Sequence, residues 1–211
     1  MFLDTLNQTI LKIWPELTIF IVVLIVVRIA ALRNSRKKFS FHEEFLNLCF
    51  IVYILLLFEL LTGTENSSGS GINLVPFSEI FRYEVGSKMF IYNVLGNILL
   101  FVPYGYFVAR YVNGKSVYQI FIVSLITSFT VEFLQVRLGR SFDVDDIILN
   151  VIGGILGYFV YFCLNSFKKH LPNFLQRDFI YNIICIIILI IIVLYLLQLL
   201  GGIKILWIMK L

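Results

Sequence analysis

Residues 132–158 read EFLQVRLGRSFDVDDIILNVIGGILGY. The stretch starts in the last turns of one apolar run and ends inside the next. Between them lie Glu132, Gln135, Arg137, Arg140, Asp143, Asp145 and Asp146. Residues three or four apart share a helix face. Asp146, Asn150, Gly153 and Gly157 therefore form one stripe, polar at its start and small further in. Ser124, Ser128, Glu132 and Gln135 form a matching stripe on the preceding run. Two apolar helices joined by a short charged turn, with stripes that match, predict a helical hairpin carrying a polar site.

The rest of the chain sets that hairpin in a membrane. Of 211 residues, 60% are hydrophobic and only 14% charged, with a mean hydropathy of +0.94. Soluble domains carry about a quarter charged residues. Several apolar runs reach the roughly 20 residues that a helix needs to cross a bilayer. Runs such as FIVVLIVV (20–27) and IIILIIIVLYLL (186–197) show no alternation, which excludes a membrane β-barrel. The expected fold is an all-α polytopic bundle of five or six spans, with a polar-lined core of three helices.

Working outward, spans are expected at about 17–31, 45–61, 89–112, 117–138, 144–164 and 179–199. Residues 1–16 are mildly amphipathic and lack the basic start of a secretory signal. Pro15 suits the first turn of a helix, and Trp14 a membrane border. Arg28, Arg33, Arg36, Lys37 and Lys38 form a basic linker, read as a topology signal. GTENSSGSG (63–71) is a flexible loop. NLVPFSEIF (73–81) is a re-entrant turn or a short interfacial helix capped by Ser78. Pro103 and Gly105 predict a kink in the third span, and Arg110 to Lys115 a tight turn. The last span, nearly all Ile and Leu, suits lipid contact. The tail carries Lys204, Trp207 and Lys210. The organisation is a hairpin with its basic linker (1–66), a core (67–165), and a basic linker with a final helix (166–211).

Spans alternate in direction, so the 62–87 loop, the start of the third span, the end of the fourth and the start of the fifth share one membrane side. The Lys/Arg bias of the loops puts that side outside. Asn93, Asn97, Glu132, Gln135, Arg137, Arg140, Asp143, Asp146 and Asn150 then line one pocket between spans three, four and five, with Arg137 and Arg140 at its edge.

Several chemistries use these groups. Glu132 and Asp146 could act as acid and base. Asp143, Asp145 and Asp146 could hold a divalent ion through oxygen. The arginines could clamp a phosphate or carboxylate. The plainer readings are a buried structural network pairing Glu132 or Asp146 with Arg137 or Arg140, and solvated turn charges at Asp143 and Asp145. Gly153-x-x-x-Gly157 reads as a close helix contact. His42 and His170 lie in separate linkers, and Cys49, Cys163 and Cys185 read as small buried hydrophobes. No cofactor is evident beyond the divalent ion that the carboxylates would allow. No nucleic-acid signature is present.

Several motifs in order resemble the VanZ-like family of bacterial membrane proteins. These are NLVPF at Asn73–Phe77, then N-x-x-x-N leading to F-x-P-x-G at Asn93–Gly105, and E-x-x-Q at Glu132–Gln135. GR-x-x-D-x-DD at Gly139–Asp146 and N-x-x-GG-x-x-G at Asn150–Gly157 complete the set. The resemblance implies a multi-pass protein of the bacterial cell membrane linked to low-level resistance to teicoplanin, a lipidated glycopeptide. Membrane lipid, the antibiotic itself or a lipid-linked wall precursor would be its partners. It assigns no catalytic residue. An enzyme acting on a lipid-linked substrate is the alternative, and a transporter a weaker one.

Overall fold

The computed structural model describes residues 2–33, 39–62, 71–114 and 116–199. Arg36, Lys37 and Lys38, most of the 63–71 loop, Lys115, and Lys204, Trp207 and Lys210 lie outside them. The described chain is helical: α1 (Phe2–Arg33), α2 (Phe41–Thr62), α3 (Ser78–Arg82), α4 (Lys88–Phe90), a π-helical turn (Ile91–Leu95), α5 (Gly96–Tyr111), α6 (Val117–Arg137), α7 (Val144–His170) and α8 (Asp178–Leu199). Six helices are long and apolar enough to span a membrane, with Lys88–Tyr111 counted as one. The all-α polytopic bundle expected from hydropathy is the fold. The one departure is a pair of two-residue strands, β1 (Ile72–Asn73) and β2 (Phe142–Asp143), which pair in parallel.

The chain forms two compact units. One holds residues 1–53 and 171–211, so the first and last spans share a unit. Within it α1 runs through Pro15 from Phe2. Proline here costs one backbone hydrogen bond, and the expected helix start at Pro15 is overridden by the apolar run on both sides. Arg28 belongs to this helix rather than to the basic linker, and its guanidinium grips Glu44 through Nε and Nη2 at 2.6 and 2.8 Å. The last span is not featureless. Asn182 Oδ1 accepts the His42 N–H at 2.9 Å, and the Tyr195 hydroxyl donates to Asn7 at 2.6 Å.

The second unit, 54–170, carries every candidate site residue. Its centre is the α5–α7 contact, which the small residues make possible. A Cβ at Gly105 would stand 1.9 Å from the Gly154 carbonyl oxygen. One at Gly157 would stand 2.1 Å from the Val102 carbonyl oxygen, and one at Gly153 2.3 Å from that of Ile98. Gly105 is thus a packing residue, where the sequence had suggested a kink. α5 continues through Pro103, and the helical irregularity falls earlier, in the π turn at Ile91–Leu95. α6 packs on the other flank of α7, with Ser124 against Gly154 and Ser128 against Asn150. The Tyr104 hydroxyl meets Thr127 Oγ1 at 2.5 Å and ties α5 to α6.

Candidate functional site

The end of α6 sets the site. Its helix closes with Gly139 in the left-handed region (φ 84°), Arg140 N–H bonded to Gln135 O at 3.0 Å and Gly139 N–H to Val136 O at 3.1 Å. This paired closure satisfies two orphan carbonyls and turns the chain sharply. The turn returns the backbone over Glu132, whose carboxylate accepts the Asp143 N–H at 3.1 Å. Asp143 in turn begins α7: its Oδ1 accepts the Asp145 N–H at 2.8 Å, as a helix-capping carboxylate does. Glu132 is 1% exposed, and this amide anchors it.

The segment 71–87 crosses this turn as a strap. β1 pairs Asn73 with Asp143, and the Asn73 amide donates to the Asp143 carboxylate at 3.2 Å. Phe77 lies in the left-handed region at φ 67° and begins α3. Such a conformation costs a non-glycine residue about 1–2 kcal/mol. Asp145 offsets it. Its two oxygens accept the N–H groups of Phe77 at 2.5 Å, Glu79 at 2.7 Å and Ile80 at 3.2 Å. The cap of α3 is therefore Asp145, a buried carboxylate from another helix, and not Ser78. Ser78 donates to the Val75 carbonyl at 2.9 Å. An ionised acceptor makes the stronger bond to orphan amides, which is why the distant aspartate displaces the local hydroxyl. Nor is Asp145 a solvated turn charge.

Replacing Asp145 with Ala is expected to free the strap. Bonds to a charged acceptor contribute about 1.5–3 kcal/mol each and do not add fully, so hydrogen exchange at Phe77, Glu79 and Ile80 should accelerate by about 30-fold or more. Unchanged protection would mean that the β1–β2 bridge alone holds the strap.

Other predicted residues divide clearly. Gln135 Nε2 and Arg140 Nη1 both donate to the Leu61 carbonyl, at 2.9 and 2.6 Å. They close the C-terminus of α2, where carbonyls are left over and positive charge is favoured. Asp146 accepts the Asn97 amide at 2.5 Å. Asn150 donates to Ser128 Oγ at 2.9 Å. Asn93 sits within the π turn, and among the described residues its side chain makes no hydrogen bond to the cluster. Arg137 is exposed and lies over the Phe133 ring, 5.4 Å from its centroid. The structure brings neither Asn93 nor Arg137 into the network. Asn73 and Ser128 belong to it and were not among the expected site residues. The signal for Asn73 was an amide in an apolar strap; the signal for Ser128 was its place on the α6 stripe.

The end of α2, the start of α5, the end of α6 and the start of α7 thus meet at one end of this unit. Their carboxylates are close enough to act on one another: Asp146, Asp143 and the Arg140 guanidinium all bear electrostatically on Glu132. Glu132 Oε1 and Asp146 Oδ2 take no hydrogen bond from the described residues. Deeper, Asn150 Oδ1 and Ser124 Oγ are buried without a partner among them. Glu132, Asn150 and Ser124 are buried, and Asp146 is half-buried. The three aspartates take three different partners, and among the described residues no three of His, Cys, Asp or Glu stand together as a metal cage.

A model of the VanZ/LLP1 family matches residues 45–168, more than half of the chain. The chain belongs to the VanZ/LLP1 family. No curated protein and no solved structure matches it. The matched region runs from α2 to the last turn of α7, so the family segment contains the entire strap and carboxylate cluster of this VanZ/LLP1 protein.

One member of the cluster lies outside the spans and titrates informatively. Burial raises the Asp143 carboxyl above its ordinary range. Hydrogen bonds from the Asp145 N–H and the Asn73 amide oppose this, while the charges of Asp145 and Glu79 add to it. A raised folded-state value means that the folded protein keeps its proton where the unfolded chain has lost it. The resulting stability is fully present below the ordinary Asp value of about 4 and is lost as pH rises through the raised one. The unfolding temperature in detergent should therefore fall as pH rises over that window, and Asp143→Asn should flatten the trend. An unaltered slope in the variant would assign it to other carboxyls.

Proposed function

We propose that this VanZ/LLP1-family membrane protein lowers susceptibility to teicoplanin by engaging an amphiphile at the outer membrane face, without turning it over. The observation that carries this reading is the cluster itself. The carboxyl groups of Glu132, Asp143 and Asp146 gather where four helix ends meet, in a unit whose outward surface is apolar. Such a site suits a molecule with a polar head and an acyl chain, and teicoplanin carries a fatty acyl group that anchors it in the outer leaflet. The Lys/Arg bias of the loops supports an outward orientation of this end. Most of the carboxylate oxygens are committed to amides, which favours holding over chemistry. Expression in a susceptible strain is expected to give weak protection against teicoplanin and little against vancomycin, which lacks the acyl chain. Equal protection against both would overturn the reading.

A second reading rests on one observation. Glu132 and Asp146 lie within electrostatic reach, and each has one carboxyl oxygen that takes no hydrogen bond from the described residues. A pair of this kind could serve as acid and base toward a lipid-linked wall precursor or surface lipid. Lipid and precursor profiles with and without the gene separate the two: a new product favours the enzyme, and an unchanged profile with retained protection favours engagement.

A further inference from the structure

The strap has an apolar outer surface that the site does not use. Leu74 and Val75 are exposed, Phe81 is 82% exposed and Val85 87%. Phe77, half exposed, stacks near Phe81 with ring centroids 6.2 Å apart. Five large apolar side chains in a dozen residues form a patch of the kind that water-facing loops avoid.

Its depth is fixed by its tethers. Asp145 stands in the first turn of α7, a membrane span, and bonds directly to the amides that open α3. α3 is therefore held level with the point where α7 leaves the hydrocarbon. The strap then runs straight into Lys88–Tyr111, another span. That span also exposes Met89, Ile91 and Leu95. Those spans face acyl chains, and the strap carries exposed side chains of the same kind next to the point where one of them begins. Arg82, 67% exposed as a side chain and ion-paired to Glu79 at 3.1 Å, sits beside Phe81 at headgroup level. This is the arrangement of an interfacial anchor, with apolar rings below and a cation that reaches up.

We propose that the 74–85 strap is a membrane-interface anchor, with Phe77, Phe81 and Val85 inserted among the upper acyl carbons of phospholipid and Arg82 among the headgroups. Through Asp145 and the Asn73–Asp143 contact it joins the lipid surface mechanically to the carboxylate cluster.

The test uses the full-length protein with Trp14 and Trp207, its two tryptophans, changed to Phe, and Phe81→Trp as a single reporter. Because Phe81 is 82% exposed, Trp should be tolerated; Val85→Trp is a second, independent reporter. Each is reconstituted in phosphatidylcholine–phosphatidylglycerol vesicles whose chains are brominated near the carboxyl end or near the methyl end. For a side chain buried at the headgroup–acyl boundary, bromines near the carboxyl end should quench emission by at least about two-fold and more than those near the methyl end. Aqueous acrylamide should quench it weakly. Strong acrylamide quenching without lipid quenching would overturn the anchor. Protection from both would overturn it too, and would assign the patch to a second copy of the chain.

Discussion

Glu132→Gln is expected to leave the protein at normal abundance in the membrane and to abolish its protective effect. Gln keeps the volume of Glu and keeps an oxygen to accept the Asp143 N–H, so the turn that Glu132 holds at 3.1 Å survives. What is lost is the ionisable carboxyl, the property that the proposed function needs. Asp146→Asn should behave alike, since Asn97 retains an acceptor at that position. If both variants instead accumulate poorly, the carboxylates are structural. Breaking a buried charged network by removing one partner costs about 3–5 kcal/mol, enough to deplete the folded protein. Membrane abundance measured beside susceptibility decides between the outcomes.

Gly105→Ala should have the largest effect on folding of any single methyl added to this chain. In a helix interior alanine is ordinarily favoured over glycine by about 1 kcal/mol. Here the added carbon would fall 1.9 Å from the Gly154 carbonyl oxygen, and the obstacle is backbone on both sides. α5 and α7 would have to separate along their whole contact, losing the approach at Gly153 and Gly157 as well. Overpacking typically costs about 1–3 kcal/mol, and backbone on both sides puts this site at or above the top of that range. The expected result is failure to accumulate in the membrane. Gly71→Ala, with nothing within 4 Å, is the matched control and should be neutral within about 0.5 kcal/mol. A well-folded Gly105→Ala protein would mean that the helices sit further apart than described here.

Local pattern carried much of this molecule. The six spans follow from length and hydropathy, and the two stripes do meet where Asn150 reaches Ser128. The α7 stripe divides, however. Gly153 and Gly157 meet α5 while Asn150 meets α6, and Gly154, outside the stripe, meets both Gly105 and Ser124, a split that three- and four-residue spacing cannot resolve. The π turn was illegible because no residue type in IYNVL signals an extra backbone unit; Pro103 attracted the prediction instead. Asp145 was misread because its partners lie 65 to 68 residues away. Nothing local distinguishes a carboxylate facing water from one facing three amides. Leu61 escaped for a related reason, since its contribution is a main-chain carbonyl and side-chain patterns do not report on backbone acceptors.

The pairing of Asn73 with Asp143 spans 70 residues of chain. At a synthesis rate of about 5–20 residues per second, the strap exists for on the order of ten seconds before its partner strand leaves the ribosome. Asp145, which satisfies its amides, is made later still. For that interval a segment with open backbone groups and exposed phenylalanines must wait between spans already inserted. Assembly of this end of the protein is therefore timed by the arrival of the first turn of α7. A nascent chain arrested before Phe142 should hold the strap untethered and open to protease, and one arrested after α7 has inserted should not.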